Sequence, residues 1–201
     1  MQRTATVLSR ADHGRPMTLS EFEHATAEDG SLLELSRGVV AVIDAPGPKH
    51  LVQSNALRRQ IHAFDAANPG VIHTIASGSE CKIVVAGAES ERHPDLAIYK
   101  SAPPPSGDLW SAWAPDVVIE VVSSGGERRD YVEKRDDYLL AGVSEYWIID
   151  AQKREMLVLR LIDEHWEERL VHDGELYASE VLPGFSFNCS SVFAAADAVD
   201  R

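Results

Sequence analysis

The sequence predicts an α/β fold, a mixed β-sheet flanked by α-helices, and three observations carry that reading. The nearly continuous apolar run Pro115-Asp-Val-Val-Ile-Glu-Val-Val reads as a strand in the centre of a sheet, buried on both faces. A helical pattern over 128–141, closed by Gly142, follows it and leads into a second apolar strand, Glu145-Tyr-Trp-Ile-Ile-Asp. That strand–helix–strand order implies a right-handed crossover and parallel pairing of the two strands. Residues 156–161 and 166–171 then read as a hairpin, followed by two short strands and a short terminal helix.

The remaining elements follow from the N-terminus. Residues 1–16 lack periodicity and read as a loose arm, with a single domain over 17–201. Thr18-Leu-Ser-Glu-Phe-Glu reads as a helix start, with Ser20 as the cap, Glu23 as its capping-box partner and an end near Gly30. Residues 32–44 read as two strands around Arg37-Gly38. Alternation sets Leu33 and Leu35 on one face and Leu32, Glu34 and Ser36 on the other. Pro46-Gly47-Pro48 breaks the chain before a helix over 50–67, in which Leu51, Leu57, Ile61 and Phe64 recur near helical spacing. Short strands are expected over 71–76, 82–85 and 95–99, and the Pro-rich stretch 100–114 reads as a loop lying over something functional.

The 201 residues are 44% apolar and 25% charged, enough for one domain with a real core. No apolar run approaches the roughly 20 residues that span a bilayer. The N-terminus has no apolar signal-like segment, so a cytoplasmic location is expected. Cys81 and Cys189 form no CxxC and no zinc spacing, and read as buried reduced thiols. The net charge of −13 argues against a broad phosphate-binding surface, but leaves room for a local positive groove.

Three residues carry chemistry. Glu120 interrupts Val-Val-Ile-Glu-Val-Val, where an ionised and unpaired carboxylate would cost several kcal/mol, so a metal, a cation or a proton must compensate. Asp95 opens the strand Asp-Leu-Ala-Ile-Tyr, and adjacent strands can bring one acid from each to a common point. Two carboxylates that close repel unless a cation sits between them, and Mg²⁺ accepts such a pair while keeping waters for a phosphate substrate. Lys134 shares a helix face with Tyr131 and Tyr138 and so points partly towards the sheet. It can balance the acids there, or snorkel outward to Asp130 or Asp137. Ser123-Ser-Gly-Gly lacks the spacing of a phosphate loop and reads as a tight strand-to-helix turn. Trp110 and Trp113 can stack on bases, clamp their loop onto the core or form a dimer contact. Tyr146 and Trp147 are further interface candidates.

Pro94-Asp95, Glu120-Val-Val-Ser123, Glu133-Lys134 and Ala141-Gly-Val-Ser-Glu-Tyr-Trp-Ile-Ile-Asp150 together resemble the Uma-two family, endonucleases of the PD-(D/E)XK, restriction-endonuclease-like superfamily. Met17-Thr-Leu-Ser-Glu-Phe, Leu33-Glu34-Leu with Gly38, and Pro48 with His50 agree in the same order, so the resemblance covers roughly 17–185. It implies a restriction-endonuclease-like core with extra C-terminal hairpins. It also implies metal ligation by Asp95 and Glu120 with the main-chain carbonyl of Val121, Glu34 reaching the metal or its water, and His50 touching phosphate. The superfamily's lysine, two positions after the glutamate, is here Val122, and Lys134 stands in for it from the next helix. The expected activity is Mg²⁺- or Mn²⁺-dependent cleavage of nucleic acid, with DNA as substrate, by a homodimer. The alternative is an inactive relative that binds nucleic acid or protein.

Overall fold

Period-two alternation in the strand Val117–Val121 sorts the molecule into layers. Val117, Ile119 and Val121 join one apolar cluster, whereas Val118 joins another on the opposite face. The structure, a computed structural model, describes residues 5–105 and 107–199. In chain order its elements are β1 (Val7–Leu8), α1 (Leu19–Glu23), β2 (Thr26–Ala27), β3 (Leu32–Ser36), β4 (Val39–Ile43), α2 (Pro48–Ala67), β5 (Thr74–Ala76), β6 (Ile83–Val85), β7 (Ser90–Arg92) and β8 (Leu96–Tyr99). There follow α3 (Leu109–Ala112), β9 (Val117–Val121), a π turn (Arg129–Glu133) running into α4 (Lys134–Leu140), β10 (Glu145–Asp150), β11 (Glu155–Ile162), β12 (His165–His172), β13 (Leu176–Ala178), β14 (Ser186–Asn188) and α5 (Ser190–Val199).

The central sheet has the order β12-β11-β10-β9-β8-β5. β9 and β10 pair in parallel, as the strand–helix–strand order requires, and the other neighbours are antiparallel. One face packs Leu57 and Ile61 of α2 and Val192 and Phe193 of α5 against Trp147 and Ile149. The other packs Tyr138 of α4 against Val118, Tyr146 and Ile148, together with Ile83 and Val85 of a second sheet, β4-β3-β7-β6. The mixed sheet between helices is therefore present as expected.

Several expectations are corrected. Thr18, not Ser20, caps α1: its side chain accepts from the Glu21 N–H, and the Glu21 carboxylate reaches back to the Thr18 amide. That helix ends at Glu23 rather than near Gly30, because Thr26–Ala27 leaves to pair with β1. Of the segment expected to be a loose arm, residues 1–4 lie outside the described residues. Over 5–16 the chain is docked: Leu8 is 1% exposed and packs with Met17, Leu19, Phe22, Leu33 and Leu35. Leu51 is 49% exposed, and the buried face of α2 carries Gln53 and Ser54 beside Leu57 and Ile61. β7 was not expected from the sequence at all. Tyr146 and Trp147 are fully buried, which removes them as interface residues. Trp113 stacks on Tyr99 at 4.0 Å and donates from Nε1 to the Ser101 carbonyl, so the loop is clamped to the core. Both cysteines are buried free thiols, as expected.

Glu145 shows how the C-terminal strands are fastened. Its buried carboxylate accepts from Trp147 Nε1 at 2.9 Å, Tyr177 OH at 3.0 Å and Ser179 Oγ at 3.0 Å. The bonds from Tyr177 and Ser179 draw β13 and the loop after it onto the sheet, and full pairing is what makes a buried acid tolerable.

A docked N-terminal segment has a measurable consequence. Leu8→Ala should lower the unfolding free energy by about 2–5 kcal/mol in urea denaturation, the usual cost of emptying a core leucine site. A loose arm would leave it within about 0.5 kcal/mol.

Candidate functional site

β8 and β9 are antiparallel with Leu96 opposite Ile119, and one step further along that register Asp95 faces Glu120. Both acids therefore stand at one end of adjacent central strands. Glu120 shares with Val118 the face that looks at α4, and it is only 2% exposed. Lys134 comes down from α4 to meet it: Nζ lies 2.7 Å from Glu120 Oε1. Tyr138, one helical turn on, donates its hydroxyl to the same oxygen at 2.6 Å. The two Asp95 bonds fall on Oδ2, from the Val121 N–H at 2.8 Å and with His50 Nε2 at 2.9 Å.

The approach of Lys134 depends on a local irregularity. The helix over 128–141 is not regular: its first turn is a π turn, in which the Lys134 N–H bonds to the Arg129 carbonyl, five residues back. Tyr146 OH donates to the main-chain carbonyl of Asp130 at 2.9 Å and ties that turn to β10. The turn Ser123-Ser-Gly-Gly before it is tight. Gly125 has φ +80°, and a Cβ on Gly126 would lie 2.8 Å from Ser123 Oγ and 3.4 Å from Asp130 Oδ2. A side chain at 126 would collide with Ser123 and crowd the turn that leads into Asp130.

Glu34 is a member of this cluster and not an exposed acid. Oε1 accepts from the His93 N–H at 2.9 Å and lies 4.0 Å from Lys134 Nζ, while Oε2 is 3.3 Å from Arg92. Arg92 is wholly buried. It also donates to Asp137 at 2.8 Å and to Ser36 Oγ at 2.7 Å, which joins β3, β7 and α4 through one guanidinium. Asp130, buried, sits 3.8 Å from Lys134 Nζ. The structure thus gathers Asp95, Glu120, Lys134 and Glu34, with His50 attached through Asp95. Val121 presents its amide N–H to Asp95. Sequence reading missed Arg92 and the inward turn of Asp130. The i,i+4 spacing of Asp130 and Lys134 was visible, but nothing in Ser90-Glu-Arg-His marks a buried strand.

Electrostatics sort these groups. Burial pushes the Glu120 carboxyl up, Lys134 opposes it, and repulsion from Asp95 and Asp130 adds to it, leaving it at about 8. Burial likewise raises Asp130 against the pull of Lys134 and Arg129. Lys134 stays protonated: burial disfavours its charge, but Glu120, Glu34 and Asp130 outweigh that. Burial also acts against Glu34 and Asp95, yet both end below their ordinary values. Lys134, Arg92 and the His93 amide hold the first, and His50, Lys134 and the Val121 amide hold the second.

Among the described residues no three His, Cys, Asp or Glu side chains form a group ready to hold a metal ion. The donor chemistry of the pair nevertheless fits a small hard cation. The contacts just described occupy Asp95 Oδ2 and Glu120 Oε1, which leaves Oδ1 and Oε2 without a protein donor among the described residues.

The architecture is of the mixed α/β class, a mixed sheet flanked by helices. A crystal structure of a putative nuclease belonging to DUF820 from Anabaena variabilis ATCC 29413 is similar, with a TM-score of 0.69 at 18% identity, over 90% of this chain and 99% of that chain. The Uma2 family, described as "Putative restriction endonuclease", matches residues 19–191, and the chain belongs to that family. A search of curated proteins returns no match. Among the described residues no helix is long and apolar enough to cross a membrane.

Two outcomes follow from the charge cluster. Arg92→Ala should cost about 3–5 kcal/mol in chemical denaturation, because it strands the buried Glu34 and Asp137 carboxylates. Stability of the metal-free protein should also peak on the acid side of neutrality. Glu120 and Asp130 bind protons more readily folded than unfolded, so stability rises as pH falls from about 8 towards 5. His50 and His93 act in the same direction: burial lowers both, but Asp95 and Glu91 raise them further. Their contribution is full below 6.5 and is lost as pH climbs through their raised folded values. Glu34 and Asp95 give stability that is present above 4.5 and 3.8 and is lost as pH falls through their depressed folded values. Thermal melts from pH 3 to 9 would show this maximum, and a flat or alkaline-shifted profile would contradict it.

Proposed function

We propose that this chain is a nuclease that hydrolyses phosphodiester bonds of DNA, with Mg²⁺ or Mn²⁺ held by Asp95 and Glu120. One observation carries the reading: the buried contact of Lys134 Nζ with Glu120, 2.7 Å long, on the face shared with Asp95. It supplies from a helix the ammonium that position 122, a valine, does not. Family membership supports the reaction class.

When bound, the metal supplies Lewis acidity towards a phosphoryl oxygen and acidifies water. The chain's own residues do the rest. Lys134 orients the attacking water or meets negative charge growing on the phosphate, from a site where low polarity makes a fixed cation effective. Glu34 holds Lys134 from its far side and stands ready towards the metal's water, and the Val121 carbonyl is the proposed third ligand. His50 fixes the orientation of Asp95 and is assigned an auxiliary contact to phosphate. Cutting both strands of a duplex is assigned to a homodimer, which carries two such sites.

The test mixes the protein with Mg²⁺ or Mn²⁺ and linear, circular and single-stranded DNA. Wild type should cleave, and Asp95→Ala, Glu120→Ala and Lys134→Met should each reduce the rate by at least about 100-fold. Equal residual cleavage by wild type and the Asp95→Ala/Glu120→Ala double variant would sink the reading. Binding without cleavage, unaffected by loss of either acid, would leave a nuclease fold used only for binding.

A further inference from the structure

The cations packed against the acids are almost all committed. Lys134 is buried on Glu120, Arg92 is buried among Glu34, Asp137 and Ser36, and His50 is hydrogen-bonded to Asp95. Arg129 differs. It opens the π turn, with its side chain 36% exposed. Its Nε lies 3.6 Å from Asp130 Oδ1, beyond hydrogen-bond reach, and both atoms are buried with no hydrogen-bond partner. The rest of the guanidinium makes no hydrogen bond to another described residue. Burial disfavours its charge, but Asp130, Glu34, Glu120 and Asp95 all attract it and outweigh that, so the group lies within electrostatic reach of the acid cluster.

We propose that the guanidinium of Arg129 is the phosphate-binding group of this site and takes a backbone phosphate of DNA beside Asp95 and Glu120. The inference rests on the nuclease reading and names the residue that holds its substrate. An arginine fork matches two oxygens of one phosphate and stays charged at every working pH. Its Nε end is buried next to Asp130, on a turn that Tyr146 ties down. Buried donors and acceptors left unpaired in a folded protein call for a partner, and a phosphate at the fork draws the guanidinium into one. The arrangement also answers the acidic balance of the chain. A net charge of −13 repels a polyanion at long range, so the attraction has to be supplied at the site itself.

The experiment reads binding with cleavage switched off. The full chain is titrated into a fluorescein-labelled DNA duplex of about 20 base pairs, and its single strand, with EDTA present, at several salt concentrations. Arg129→Gln should weaken binding about tenfold, the scale of one lost charge-assisted contact. It should also flatten the dependence of log K on log salt by about 0.9 for duplex, as expected for one phosphate contact. Arg129→Lys should keep the salt slope and lose only part of the affinity. If Arg129→Gln unfolds, Arg129→Gln/Asp130→Asn removes the stranded acid and should show the same loss of slope. Wild type that cuts DNA, with an Arg129→Gln variant that binds as tightly and with the same slope, overturns this proposal alone. Wild type that neither binds nor cuts DNA overturns the nuclease reading and this proposal together.

Discussion

The contact between the Lys134 ammonium and the Glu120 carboxyl is the interaction on which the rest of the structure leans. A carboxylate in the middle of a central strand would cost several kcal/mol by itself, and so would an ammonium on the buried face of a helix. Each is tolerable because the other is 2.7 Å away. Meeting that distance constrains the chain on both sides. The π turn aims Lys134, Tyr146 holds the turn, and Tyr138 takes up a further lone pair of Glu120. A second sheet closes over the same face, and Arg92 joins it to α4 through Glu34 and Asp137. Elsewhere the layers are held by apolar contact; here they are held by paired charge.

Paired charge of this kind specifies more than it stabilises. Three carboxylates, Glu120, Asp130 and Glu34, lie within 4.0 Å of one lysine, and burial leaves two of them harder to ionise than ordinary acids. Well-packed apolar residues in place of buried ion pairs are often as stabilising or more so. Clustered acids with perturbed ionisation are a feature of sites that do chemistry, where stability is given up for readiness. The partly exposed side of the cluster carries Asp95, His50 and Arg129.

The parts of the fold that were legible in the sequence are those whose signal is local. β9 and β10 are apolar runs flanked by turns, and α2 carries a helical repeat bounded by Pro48 and Asn68. Glu120 was legible for the opposite reason, as a charge where the pattern demands none, and helical spacing aligned Lys134 with Tyr138. β7 was not legible. Ser-Glu-Arg has no apolar alternation, and it is buried only because β3 and α4 supply partners from distant parts of the chain. Ser20 with Glu23 reads as the cap of α1, but Thr18 with Glu21 is the pair that closes it. Leu8 sits in a segment with no period, and its burial arises from pairing with β2 and packing under α1.

By itself, then, the sequence determined the class of fold, the order of the central strands and the helices α2 and α4 beside them, the family, and the acids and lysine worth watching. Apolar periodicity and strand–helix order are written in consecutive residues and need no partner to be read. Only the tertiary structure decided that Asp95 faces Glu120, that Lys134 arrives from α4, that Glu34 and Arg92 enclose the cluster and that Arg129 is left with an unengaged fork. Those are contacts through space between charges. Their stability depends on distance and on exclusion of water, and neither exists until the two sheets and the helix between them have closed.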